Sequence, residues 1–131
     1  MSAHRVGFAA LFALAACQPT EESIEVDVFR PDYRGVETRL LEDDLVTFLA
    51  RMEGARDNAD IIDYAQCAAA QYALIRGFGF ARHVRTAVTE QGGVWTADAV
   101  YVVSPEVPRG LRTIDAEITV ADCRVRGIPT V

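Results

Sequence analysis

The apolar positions of this chain repeat with two different periods. Over residues 60–76 (DIIDYAQCAAAQYALIR), Ile61, Tyr64, Ala65, Ala68, Tyr72 and Ile75 fall on one stripe at 3.6 residues per turn, with Asp63 and Gln66 on the other side. That spacing predicts an amphipathic helix, and the alanines add intrinsic propensity and let it approach a sheet closely. Asn58 or Asp60 suits the N-cap, Asp63 and Arg76 suit the two ends of the dipole, and Gly77 suits the left-handed position after the last turn.

Elsewhere the period is close to two. Within residues 36–52 the runs VETRLL and LVTFLARM flank Glu42-Asp43-Asp44, which predicts a hairpin, although Leu40-Leu41 and Leu45-Val46 leave its register open. Residues 78–90 and 94–103 predict a second hairpin about Gly92-Gly93. With those glycines as the turn, Phe80, Val84 and Val88 share the helix-facing side with Trp95, Ala97, Ala99, Tyr101 and Val103. The opposite side then carries His83, Arg85 and Asp98 beside Val100 and Val102. Residues 104–111 (SPEVPRGL) read as a loop. Ile114, Ala116, Ile118 and Val120 alternate with polar residues, predicting a half-buried strand over 112–120. Residues 121–126 read as a short helical turn closed by Gly127-Ile128-Pro129, or as more of that strand. The order β-β-α-β-β-β predicts an α+β domain: an antiparallel sheet with one main helix packed on one face.

Composition fits one such domain, since half of the 131 residues are hydrophobic and a quarter charged. Net charge is −6 and every one of the 13 basic residues is Arg, which argues against an extended basic surface for nucleic acid.

The first segment stands apart. Residues 6–16 (VGFAALFALAA) form an unbroken run of small and apolar residues behind Arg5, in the manner of a signal peptide. As a helix they rise only about 16 Å against a hydrocarbon core of roughly 30 Å, so they are too short to span it. The run ends in Leu14-Ala15-Ala16-Cys17, which resembles the lipobox of bacterial lipoproteins at all four positions. The resemblance implies diacylglycerol on the Cys17 sulfur, cleavage before Cys17 and acylation of the new amino terminus, with palmitate a typical chain. Two or three acyl chains anchor stably where one does not. Position 18 is Gln rather than Asp, and the resemblance to proteobacterial lipoproteins then implies sorting to the outer membrane. Residues 1–16 are then the signal peptide, 17–35 a lipidated cysteine with an acidic tether, and 36–131 a single periplasmic α+β domain. Ile24, Val26 and Val28 alternate with Glu25 and Asp27, so that stretch reads equally as tether or edge strand. Between residues 18 and 63 stand 13 acids and 5 Arg; residues 64–131 hold 6 and 7, so the acidity lies next to the anchor.

With Cys17 lipidated, Cys67 and Cys123 remain, and in an oxidising periplasm they are expected to form a disulfide. A redox pair is the alternative, but there is no C-x-x-C and no cysteine at a helix start. His83, the one histidine left after removal of His4, lacks metal-ligand spacing, and Ser23 and Ser104 do not sit in G-x-S-x-G. A sheet-surface histidine beside Arg82 and Arg85 is therefore expected ahead of a catalytic one. Glu42, Asp43, Asp44 and the set Asp57, Asp60, Asp63 lack the pattern of a calcium loop and suit solvation and helix capping. Gly77-Phe78-Gly79 follows a helix and enters a strand, the reverse of dinucleotide-binding order. No cofactor and no metal are implied. The helix ending in Arg-Gly-Phe-Gly-Phe before a strand, within residues 60–88, also resembles small proteobacterial lipoproteins of unassigned function, which implies a periplasmic domain without a known reaction.

The expected function is a lipid-anchored envelope module that binds or assembles and does not catalyse. Its partners would be the membrane, through the anchor, and an envelope protein or the cell wall, with no nucleic acid. In that reading the sheet side around His83, Val100 and Val102 is an exposed patch. A small-ligand carrier with a clefted, apolar cavity is the alternative, and an enzyme using His83 comes last.

Overall fold

A computed structural model describes residues 28–107 and 112–130, together with positions 3 and 7. The order is β1 Asp32–Glu42, β2 Leu45–Glu53, α1 Asn58–Ile75, β3 Phe80–Gln91, β4 Val94–Ser104, β5 Thr113–Asp115 and α2 Ala116–Val125. The strands form one curled antiparallel sheet in the order β1-β2-β4-β3-β5. The α+β expectation holds, with a second helix added to the first.

Both hairpins form where turn chemistry places them. Asp43, at φ 47, turns β1 into β2, and Gly92 and Gly93, at φ 58 and 82, turn β3 into β4. The sheet begins at Asp32, four residues before the boundary expected at 36. Of the alternating stretch 24–28, only Val28 lies within the described residues; it is exposed and outside β1.

The core lies between one sheet face and α1. Val46, Phe48, Ala50 and Met52 of β2 and Ala97, Ala99, Tyr101 and Val103 of β4 meet Ile61, Tyr64, Ala65, Ala68 and Ala73 of α1, all buried. Ile75, expected on the buried stripe, is exposed at the last position of α1. The N-cap is Asp57, whose carboxylate accepts from Ala59 N at 2.9 Å, rather than Asn58 or Asp60. Tyr64 extends from α1 to accept the Gly35 amide at 2.9 Å, at a bulge where β1 shifts register.

The expected strand over 112–120 is corrected. Only Thr113–Asp115 is strand, and α2 follows at once. Asp115 caps α2 by accepting from Ile118 N at 3.0 Å. Ala116, Val120 and Cys123 are buried at i, i+4 and i+7, whereas Ile118 is 70% exposed. Alternation and helical spacing share positions four apart, so Ala116 and Val120 fitted both patterns, and only Ile118 separates them. Both helices close alike. Phe78 N donates to Ala73 O at 2.7 Å and Ile128 N to Cys123 O at 2.9 Å, across Gly77 and Gly127 with positive φ. Cys67 of α1 and Cys123 of α2 form the expected disulfide, with Cα atoms 6.0 Å apart.

Candidate functional site

The candidate site arises from an irregularity in β3. Counting back from the glycine turn, Val88 pairs with Ala97 and Thr86 with Ala99, on the helix side. A bulge between His83 and Arg85 then inserts one residue, so that Arg85 pairs with Val100 and His83 with Tyr101. One extra residue flips every side chain upstream of it. Ala81 and His83 therefore face α1, and Val84, expected inside, is 41% exposed. His83 is not on the side of Val100 and Val102, and Val100 is itself buried, so the patch expected from those three residues is not assembled.

His83 instead lines a cleft of about 250 Å³ between α1 and the entry to β5. Ile62 and Gln66 come from α1, His83 from β3, Tyr101 from β4, and Arg112, Thr113 and Ile114 from the segment leading into α2. The His83 amide donates to the Arg112 carbonyl at 3.1 Å, which pins that segment against β3. Arg112 adopts φ 74, a left-handed conformation that costs a non-glycine residue about 1 kcal/mol or more. Such strain persists where its surroundings enforce it.

Within the cleft, His83 Nε2 lies 2.6 Å from Thr86 Oγ1 and the ring meets Tyr101 edge-on at 5.2 Å. Burial holds the His83 pKa below its usual value, and the nearby Arg112 guanidinium pushes the same way; a backbone hydrogen bond with Arg85 opposes them. Tyr101 is 3% exposed, and burial, followed by the field of Asp63, pushes its phenol up to about 12. The phenol is thus a neutral donor across the physiological range. No described residue hydrogen-bonds its hydroxyl. None of the seven lining residues is acidic.

A second concavity of about 230 Å³ lies nearby, among Phe29, Tyr33, Arg56, Asp60, Asp63, Arg126 and Ile128. Its charges are consumed internally. Arg56 donates to both Asp60 oxygens at 3.0 and 2.8 Å and stacks over Phe29 at 3.9 Å. Arg126 pairs with Asp63, and with Asp122 at 3.3 Å. Asp60 and Asp63, read from sequence as capping residues, are ion-pair anchors.

The structure places the candidate residues far apart in role. Cys67 and Cys123 join the helices, His83 lies in the cleft, and Cys17 lies outside the described residues. Tyr101, Gln66 and Arg112 were missed as cleft residues. Tyr101 carried the one available signal, a polar tip at a position patterned for the core.

No described helix is long and apolar enough to cross a membrane. The chain is similar to an uncharacterized 26.9 kDa protein in the nqo8 5′ region of Paracoccus denitrificans, with 32% identity over 104 residues. That alignment covers 75% of this chain and 41% of the relative, so the chain spans less than half the relative's length. No solved structure matches it. A model of the YNQ4 C-terminal domain matches residues 33–127, which run from β1 through α2, and the chain belongs to that family.

Proposed function

We propose that the chain is a lipid-anchored module of the bacterial cell envelope, held to the outer membrane through Cys17, that binds a small ligand in the His83 cleft without catalysing a reaction. The observation that carries the binding reading is the convergence of the Tyr101 phenol, the His83 ring and Arg112 on one cleft walled by Ile62 and Ile114. Strain at Arg112 in the same wall supports the same site. The anchor rests on Leu14-Ala15-Ala16-Cys17, and the Cys67–Cys123 disulfide suits an oxidising compartment. The non-catalytic reading is favoured because the partner of the His83 ring is the Thr86 hydroxyl and no acidic residue lines the cleft to orient the imidazole.

Two measurements test the proposal. Metabolic labelling with radioactive palmitate should mark the wild-type chain and not Cys17→Ser; equal labelling of both removes the anchor. Native mass spectrometry of protein extracted gently from envelopes should show a retained small molecule on the wild type that Tyr101→Phe loses. The same added mass over the bare chain in both proteins removes the cleft as the binding site.

A further inference from the structure

Resting on the cleft as binding site, we infer that its ligand is a small organic anion, a carboxylate on a compact apolar body. Arg112 is the one permanently charged residue lining the cleft; like Arg30, Arg51, Arg82, Arg85 and Arg124 it has no described carboxylate paired with it, and no acidic residue lines the cleft to compete for it. A guanidinium is permanently charged and presents a planar fork that matches a carboxylate. Tyr101 adds a neutral hydroxyl donor deeper in the cleft, and Gln66 an amide at the α1 side. The acid whose field reaches Tyr101, Asp63, is already held by Arg126, so little negative charge is left to repel an anion. Ile62 and Ile114 supply apolar walls, and the His83 ring, held by Thr86, supplies a flat one. About 250 Å³ lies below the usual ~300–1,000 Å³ of pockets for drug-sized ligands, which sets the compact size.

The test uses the full chain in detergent with ¹³C-labelled histidine. The sequence has only two histidines, so the His83 ring signal reports directly from the cleft. At fixed pH the protein is titrated with benzoate, acetate, benzyl alcohol and benzylamine. Benzoate should move the His83 signal saturably and bind more tightly than acetate. Arg112→Gln should weaken benzoate about tenfold or more and Tyr101→Phe about fivefold, as expected for losing a charged and a neutral hydrogen bond. Arg85→Gln, on the opposite sheet side, should leave affinity unchanged. Benzyl alcohol or benzylamine matching benzoate overturns the anion class while leaving the cleft a binding site. Acetate matching benzoate overturns the apolar body. A His83 signal unmoved by all four probes overturns the cleft reading itself.

Discussion

Opening the Cys67–Cys123 bridge should cost stability mainly by freeing the unfolded chain. The bridge joins residues 56 apart in sequence, and closing a loop of that size removes about 4 kcal/mol of denatured-state freedom on the chain-entropy model. Little native packing is lost with it. Both cysteines are almost fully buried between α1 and α2, and a buried thiol behaves as a small hydrophobe, so the reduced side chains still fill the same space. Helix α2 also keeps independent anchors: buried Ala116, Val120 and Ile128, and the Arg126–Asp63 pair. The expected outcome is a reduced protein that remains native at neutral pH but unfolds at a markedly lower urea concentration. Its dependence on denaturant should be steeper, because the unlinked unfolded chain exposes more surface. Circular dichroism with and without reductant measures both effects, and Cys67→Ala/Cys123→Ala is the covalent control. Hydrogen exchange adds a local readout, in which α2 amides of the reduced protein should stay protected up to the lowered global limit. Coincident midpoints for oxidised and reduced protein would refute the loop-closure argument. Loss of α2 protection alone, with the sheet unchanged, would show that the bridge pins a weakly docked helix.

Three further outcomes follow from single positions. Gly54→Ala should destabilise by about 1–3 kcal/mol in urea denaturation, because Gly54 has φ 76 and an added Cβ would sit 2.8 Å from the Arg30 carbonyl oxygen, whereas Gly92→Asn, in an open turn at φ 58, should stay within about 0.5 kcal/mol of wild type. Asp60 is held below the usual carboxylate range by hydrogen bonds from the Arg56 side chain, with burial opposing them. Its contribution is therefore present above pH 3.8 and is lost as pH falls through the lowered folded value; Asp60→Asn should remove that part of the acid limb in pH-dependent denaturation. His83 is lowered in the folded state, by burial and then by Arg112, so the unfolded chain takes up its proton first. Stability should decline as pH drops through about 6.5, and His83→Gln should flatten that decline; an NMR titration placing His83 above 6.5 would contradict it.

Much of the fold was legible because local chemistry and burial agreed. The alanine stripe of α1, the Asp43 and Gly92-Gly93 turns and the alternation of β4 each point to one structure, and each forms. Where one pattern served two structures, legibility ended. Ala116 and Val120 satisfy both a two-residue and a four-residue spacing. What decides for helix is Asp115 accepting the Ile118 amide and Cys123 completing the turn, a signal present in sequence but outvoted by Ile118. The cap is ambiguous in the same way: Asp57, Asn58 and Asp60 can all accept from a first-turn amide, and only the backbone conformation selects Asp57 among them.

The cleft was illegible for a different reason: it depends on a parity change that nothing local announces. Had β3 alternated without interruption from Gln91 to Phe80, His83 would sit opposite the helix and Val84 would enter the core. The bulge exchanges those two fates, turning a polar ring inward beside Tyr101 and a valine outward to solvent. On burial alone that exchange is unfavourable, since a valine side chain gains roughly 1.5–3 kcal/mol on full burial. It is offset by what the inward histidine organises. His83 takes Thr86 as partner, its amide holds the Arg112 carbonyl, and that contact keeps Arg112 in a conformation it would otherwise avoid. The irregular strand, the strained arginine and the Tyr101 phenol thus meet at one place. On the proposed binding reading the bulge is kept for the cleft it assembles, which makes His83→Val a discriminating substitution. If the bulge serves only the fold, His83→Val should destabilise the protein, because the Thr86 contact that offsets the lost burial goes with the ring. If it serves the cleft, the same change should leave stability at or above wild type while abolishing the benzoate response, read by competition with a fluorescent aryl carboxylate.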